Sequence, residues 1–258
     1  MSWNKFFVKN FYKYKGHIDL SVHGLDLKGD PENYHFWQSC SRGDWEPNTF
    51  KLLKEFLNSE SIFLDIGAWI GPLSVFASKL CGQVYSFEPD QFAFRKLVEN
   101  ILLNDSKNIH AISAALSNAN GIRTMTPQRE RLGDSSSSLI NNSGEDSKFI
   151  YTPCIEVQSI ITDLGHNFFD LIKVDIEGGE AYIFDDLLTL SQNFCKRMLF
   201  SSHSGYFDDD EKLSYIDSFL NLIKNSKVYS ENMQLLSEKD ILYMEKETGF
   251  NSYVIDPK

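Results

Sequence analysis

The chain has 258 residues, with 25 Lys and Arg against 36 Asp and Glu, a formal net charge of −11. That balance argues against general nucleic-acid binding, because phosphates would be repelled, and is compatible with a cationic small ligand. The length suffices for one α/β domain with a sizeable core, while no 18-residue apolar span and no signal sequence is evident, so a cytoplasmic protein is expected. Cys40, Cys81, Cys154 and Cys195 contain no Cys-x-x-Cys pair. They are expected to be reduced, mostly buried thiols.

In chain order, Trp3, Phe6, Phe7, Phe11 and Tyr14 fall at helical spacing, with Lys5, Lys9 and Lys13 elsewhere. This predicts a basic amphipathic helix, whose aromatic face packs on the domain or a second subunit, or else meets a membrane surface. Ile18, Leu20 and Val22 alternate with polar residues, and Tyr34-His35-Phe36-Trp37 follows. Residues 17–44 therefore read as strands or a hairpin with a loop beside the ligand crevice. Residues 1–44 form a cap segment ahead of a domain over 45–258. Pro47 suits the first turn of a helix carrying Phe50, Leu52, Leu53, Phe56 and Leu57.

Ile62-Phe63-Leu64 reads as a buried parallel strand, Asp65 ends it, and Gly67 and Gly71 precede a helical pattern from Leu73 to Leu80. Gly67 permits a sharp turn and close approach of a ligand. Val84 to Phe87 reads as a second strand, ending in Glu88 and stopped by Pro89. Glu88 stands 21 residues after Gly67, the spacing at which an acid grips ribose hydroxyls in nucleotide-binding α/β folds. The loop is Asp-x-Gly-x-x-x-Gly rather than Gly-x-Gly-x-x-Gly. An acid in place of the first glycine suits a ligand with a positive end.

A helix is expected over Phe92–Leu103 and a third strand over Ile109–Leu116. The stretch 121–157 breaks the βα rhythm, with extended pieces at Ile122–Met125 and Phe149–Val157. Ser135 to Ser138 lie between them, as substrate-facing hydroxyls or as a solvated loop. A short helix or turn follows at Ile160–Leu164, then a strand at Leu171–Val174 and a helix from about Glu180 to Leu190. Lys173 lies inside that strand and needs a carboxylate partner, such as Glu177 or Glu180. Met198–Ser202 reads as a fifth strand ending at His203. Asp208 to Glu211 supply acids to the first turn of a helix through Ile223, a structural rather than metal-binding use. Val228–Leu236 and Phe250–Ile255 read as closing strands. Asp65, Glu88, Asp175 and His203 thus all fall at carboxyl ends of strands, where a doubly wound sheet binds its ligand.

The run Asp170-Leu-Ile-Lys-Val-Asp175-Ile-Glu177-Gly178-Gly179-Glu180 resembles the Ile-Lys-x-Asp-x-Glu-Gly-x-Glu signature of the FkbM-type methyltransferases, class I enzymes that use S-adenosylmethionine. Asp65-Ile-Gly67-Ala68-Trp69-Ile-Gly71 resembles their cofactor loop, with Trp69 where asparagine is commoner, and Phe87-Glu88-Pro89 also matches. The resemblance covers about Trp45 to His203. It implies a doubly wound, Rossmann-like, mostly parallel sheet with a β-hairpin insertion. It implies S-adenosylmethionine held by Asp65, Gly67, Ala68, Trp69, Gly71, Glu88, Pro89 and Asp175. Asp175, His203 and Glu177 are the candidates for activating the acceptor, with no metal ligands assigned. His203 would serve as the base, because imidazole titrates near neutrality, or would cap backbone groups. Asp175 would orient the acceptor or the cofactor's amino group. The acceptor implied is a hydroxyl of a glycan or secondary metabolite, with nitrogen as the alternative. An NAD-dependent oxidoreductase is disfavoured by the missing third glycine, and a silent binding module by the intact loop and acids.

Overall fold

A computed structural model of the chain describes residues 11–127, 133, 137–139, 149–166 and 168–257. The alternation at 18–29 folds as an antiparallel hairpin, β1 (Ile18–Val22) and β2 (Leu25–Gly29). His23 and Gly24 turn it, both at positive φ (45° and 83°), as a two-residue hairpin turn requires. The aromatic stretch after it is not a loop. Asp30 caps a 3-10 turn at Pro31–Asn33, and α1 (Tyr34–Arg42) continues to Gly43 in the left-handed region. Trp37 and Cys40, three residues apart, bury one face of α1. The run of four consecutive rings hid that period.

After α2 (Pro47–Phe56) the expected β–loop–α rhythm appears as β3 (Ile62–Ile66), α3 (Pro72–Ser78), β4 (Gln83–Phe87), α4 (Gln91–Leu103) and β5 (Ile109–Ile112). The strand expected through Leu116 breaks at Ile112. Its continuation, β6 (Ala115–Ser117), leaves the main sheet and pairs with β9 (Ile150–Glu156). β9 also pairs antiparallel with β7 (Gly121–Pro127), and β8 (Ser137–Ser138) completes a four-stranded insertion. The expected hairpin is there, enlarged by two short strands. Ser135 and Ser136 lie outside the described residues.

The chain returns through α5 (Val157–Asp163), β10 (Leu171–Val174), α6 (Phe184–Asn193), β11 (Met198–Ser202), α7 (Asp209–Ile223) and β12 (Lys227–Ser230). The strand expected to run to Leu236 stops at Ser230. Sequence reading also passed over α8 (Glu238–Glu247), whose start is fixed by a capping box between Ser237 and Asp240. β13 (Asn251–Asp256) closes the chain.

The main sheet has the order β12-β13-β11-β10-β3-β4-β5. β13 alone runs antiparallel to its neighbours. From β3 the chain moves outward to β5, then crosses back to place β10 on the other side of β3. That reversal makes the carboxyl ends of β3 and β10 the topological switch point. Side chains alternate across the strands: Leu64 and Ile66 join a core with Leu187 and Phe219. Phe63 joins another with Trp37, Phe50, Phe76 and the β1–β2 hairpin. The result is helices on both faces of one buried sheet.

Residues 11–15 are helical, as expected of the N-terminal segment, whereas Trp3, Phe6, Phe7, Lys5 and Lys9 lie outside the described residues. Phe11 and Tyr14 are exposed. The ring that packs inward is Tyr12, against Tyr34 at 5.7 Å. All four cysteines are buried and unpaired. Among the described residues no helix is long and apolar enough to cross a membrane.

Candidate active site

The loop after β3 is held by the end of β4: the backbone N–H groups of Gly67 and Ala68 both donate to the Phe87 carbonyl at 3.0 Å. Gly67 has φ 87°, and a Cβ built there would overlap the Asp175 carbonyl oxygen. The glycine is therefore demanded by the passage of the loop against the end of β10. Gly71 caps α3 at φ 85°, where a Cβ would overlap Leu97; it lines neither of the cavities described next.

Two cavities adjoin at the switch point. One is walled mainly by apolar groups, including Ile66, Phe87, Pro89, Ala115, Leu116, Met125 and Ile176, with Glu88 among them. The other is lined by Trp45, Glu46, Asp65, Ala68, Leu73 and Lys173. Gly67, Trp69, Asp175 and Glu177 line both. Glu46, Trp69 and Glu177 all sit at positive φ (41°, 51° and 53°), the strained backbone that tends to gather at functional sites.

Glu88 accepts the backbone N–H of Trp69 and that of Asp90, each at 2.7 Å. Burial pushes its carboxyl up to about 8 in spite of these bonds. Asp90 in turn caps α4 and accepts from Gly133 N at 2.6 Å and Ser137 Oγ at 2.7 Å. The Trp69 indole donates to the Gly133 carbonyl, so the insertion is fastened over the first cavity from both sides.

Asp65 is buried. The Ser74 hydroxyl donates to its Oδ2, and its Oδ1 has no hydrogen-bond partner among the described residues. Burial raises its pKa. Lys173 donates to Asp175 Oδ2 at 2.8 Å, so its partner is Asp175 rather than Glu177 or Glu180. Burial alone would discharge that ammonium, but Asp175, Glu46 and Asp65 outweigh it and raise the Lys173 pKa. Asp175 is held below the usual carboxylate range by Lys173 and His203 against the cost of burial. Burial pushes Glu46 up to about 7 and raises Glu177.

His203 receives support from below. Its Nδ1 lies 2.9 Å from Oε1 of the fully buried Glu180, which also accepts the Ile176 N–H at 3.1 Å. Its Nε2 faces Asp175 Oδ1 at 3.5 Å and Glu177 Oε2 at 3.7 Å. Tyr206 donates to Glu177 Oε2 at 2.7 Å and stacks on the imidazole. Titration near neutrality does not hold here. Burial favours the neutral ring, but Glu180, Asp175 and Glu177 together push it up to about 9. The structure thus brings Asp65, Gly67, Ala68, Trp69, Glu88, Pro89, Asp175, Glu177 and His203 to one crevice. Glu46 and Tyr206 went unassigned in the sequence, where nothing local marks them. Glu180 ends the Lys-x-Asp-x-Glu-Gly-x-Glu run and was expected only as one candidate partner of Lys173, not of His203.

A seven-stranded, largely parallel sheet with an acid-and-glycine loop at its switch point and a second acid beyond the next strand is the architecture of a class I methyltransferase. A family model described as the methyltransferase FkbM domain matches residues 65–229, more than half of the chain, and the chain belongs to that family. Among solved structures, it is similar to a TehB-like SAM-dependent methyltransferase from Corynebacterium glutamicum (11% identity, 88% of this chain and 97% of that one, TM-score 0.46). TYW2 of M. jannaschii in complex with AdoMet is another (15%, 93% and 84%, TM-score 0.44). A third is an rRNA methylase from Streptococcus thermophilus (12%, 81% and 93%, TM-score 0.46). No curated protein matches. The cofactor of the family is S-adenosylmethionine, and the residues present fit it. The orphaned Oδ1 of Asp65 and the acidic second cavity suit an ammonium and a sulfonium. The largely apolar first cavity, with the Glu88 carboxylate on its wall, suits a nucleoside.

Proposed function

We propose that this methyltransferase acts on a hydroxyl oxygen of a small molecule or glycan. The first cavity takes the adenosine, with Glu88 on the ribose hydroxyls. The second takes the methionine end, beside Asp65. The observation that carries this reading is the junction of the two cavities at Asp175 and Glu177, with His203 behind them. The cofactor supplies an electrophilic methyl group on sulfur. The acceptor oxygen gives an electron pair to the methyl carbon while the carbon–sulfur pair returns to sulfur, and the hydroxyl proton passes to a cleft carboxylate. Glu46 and Glu177, both raised by burial, suit that role better than Asp175, which Lys173 holds ionised. His203, protonated at neutral pH, balances the carboxylates rather than taking a proton. Most of the rate then comes from positioning and exclusion of water. The net charge of −11 disfavours nucleic acid as acceptor, and four buried thiols suit a reducing compartment such as the cytoplasm.

The test is transfer of labelled methyl from S-adenosylmethionine to a panel of hydroxylated glycans, hydroxylated metabolites and matched amines. Product NMR then identifies the methylated atom. O-methyl products are expected, and products methylated only on nitrogen would overturn the hydroxyl assignment.

A further inference from the structure

The atoms that Asp175, Glu177 and His203 turn toward one another form more than an ion-pair cluster. The imidazole Nε2 lies 3.5 Å from one carboxylate oxygen and 3.7 Å from the other, and one ligand atom from each residue lies within 4.8 Å of the others. Three ligands held at about 2.1 Å around one cation stand roughly 3.0–3.4 Å apart, so small side-chain rotations close the set. Each ligand is also held from outside. Glu180, fully buried, fixes Nδ1 and aims Nε2 at the carboxylates. Lys173 binds the other oxygen of Asp175, and Tyr206 binds Glu177. A carboxylate on the far nitrogen of a histidine, with hydrogen bonds to the ligating acids, is the usual outer support of a metal site. The His203 side chain is only 10% exposed, yet its Nε2 meets the carboxylates at ion-pair rather than hydrogen-bond distance.

We propose that Asp175, Glu177 and His203 bind one divalent first-row transition cation, which displaces the Nε2 proton of His203 to solvent, and that this cation holds the acceptor hydroxyl. One imidazole with two carboxylates suits Mn²⁺, Fe²⁺, Co²⁺ or Zn²⁺, whereas Ca²⁺ and Mg²⁺ favour all-oxygen sets. Asp175 and Glu177 line both cavities, so an oxygen on the cation stands beside their junction, where the proposed function puts the sulfonium between adenosine and methionine. Coordination withdraws charge from that oxygen and eases loss of its proton. The proton then falls to Glu46, a carboxylate of the second cavity that is not a ligand. The methyl step is otherwise the one given above. The acceptor role rests on the proposed function; the cation site itself rests on geometry alone.

The experiment uses the full chain stripped with EDTA. Mn²⁺ is titrated and the free aquo ion followed by EPR; Co²⁺ is titrated and its visible bands recorded. One tightly bound equivalent is expected, with a nitrogen coupling from imidazole in pulsed EPR of the Mn²⁺ complex. His203→Ala should abolish that coupling, and Glu180→Gln, acting by positioning, should weaken binding about 10–100-fold. Glu177→Gln provides a second route should His203→Ala not fold, as judged by circular dichroism. No bound equivalent in the parent, or binding unchanged in His203→Ala or Glu177→Gln, overturns the site. S-adenosylhomocysteine binding is measured in parallel. If it binds and the cation does not, the cation site alone falls. If the cation binds and it does not, the cation site stands and the cofactor reading falls.

Discussion

With Glu88 on the ribose as proposed, cofactor binding should be a proton-coupled event. In the free protein its carboxyl is buried and titrates at about 8. Two ribose hydroxyls would donate to the ionised form and pull that pKa down, so binding releases a proton wherever Glu88 still carries one. Affinity for S-adenosylhomocysteine should therefore rise with pH and level off above about 8. If the bound form stays ionised throughout, the ionised fraction rises from about 1 in 100 at pH 6 to about one half at pH 8, a gain of roughly 50-fold. Calorimetric titration between these pH values, in buffers of different ionisation enthalpy, should count about 0.9 proton released at pH 7. Glu88→Gln should bind with no such slope, and subtracting its curve removes any titration of the ligand's own amino group. Equal affinity at pH 6 and pH 8 in the parent, with no proton released, would refute the reasoning. Stability of the free protein runs the opposite way with pH. A carboxyl raised on folding contributes stability fully below its ordinary pKa, and that contribution is lost as pH rises through about 8.

Three further predictions follow from contacts around the site. Gly67→Val places a β-branched side chain at φ 87° and against the Asp175 carbonyl. It should cost at least about 3 kcal/mol by urea denaturation, with loss of cofactor binding as a consequence of the moved loop. Lys173→Met leaves Asp65 and Glu46 without their cation and Asp175 with His203 alone. A loss of roughly 3–5 kcal/mol at pH 7 is expected, shrinking at pH 5 as carboxylates protonate, again by urea denaturation. Asp30→Ala orphans the buried indole N–H of Trp37, 3.0 Å from the carboxylate, and uncaps the backbone N–H of Asn33, while the Asn100 amide keeps its bond to the Ile70 carbonyl. At roughly 1–3 kcal/mol for each orphaned group, the midpoint of thermal unfolding should fall by several degrees.

The sheet was legible because its signals are local. Ile62 to Leu64, Val84 to Phe87 and Leu171 to Val174 are short apolar runs, each ending in or followed closely by an acid or glycine. A strand buried on both faces has little freedom to look otherwise. α1 was missed because Tyr34 to Trp37 presents rings at every position. Its amphipathicity shows only through which of them, Trp37, is buried by the hairpin. α8 was missed for the opposite reason. Its buried stripe consists of Ile241 and Glu245, and an acid does not register as apolar. Glu245 is buried because Ser202, Ser204 and Tyr253 donate to it, partners brought by β11 and β13 from elsewhere in the chain.

The same distinction decides how much of the site could be read. Asp65, Gly67, Glu88 and Asp175 hold positions that topology alone assigns to the crevice, so a strand reading places them. Their protonation states are not local properties. Lys173 chooses Asp175, its neighbour but one along the same strand end, because Glu180 is already turned beneath β10 to meet His203 from β11. That one pairing reverses the expected chemistry of the histidine. An imidazole at a strand end with a free face would titrate near neutrality and serve as a base. With Glu180 on one nitrogen and Asp175 and Glu177 before the other, it holds its proton to about 9. On the proposed reading the base is a carboxylate that burial has raised, and Glu46 reaches the site from the start of α2, at a left-handed backbone position just before Pro47. The acids and glycines at the strand ends were thus legible in the sequence and Glu46 was not, because the charge each group carries is set by the contacts between β10, β11 and the start of α2.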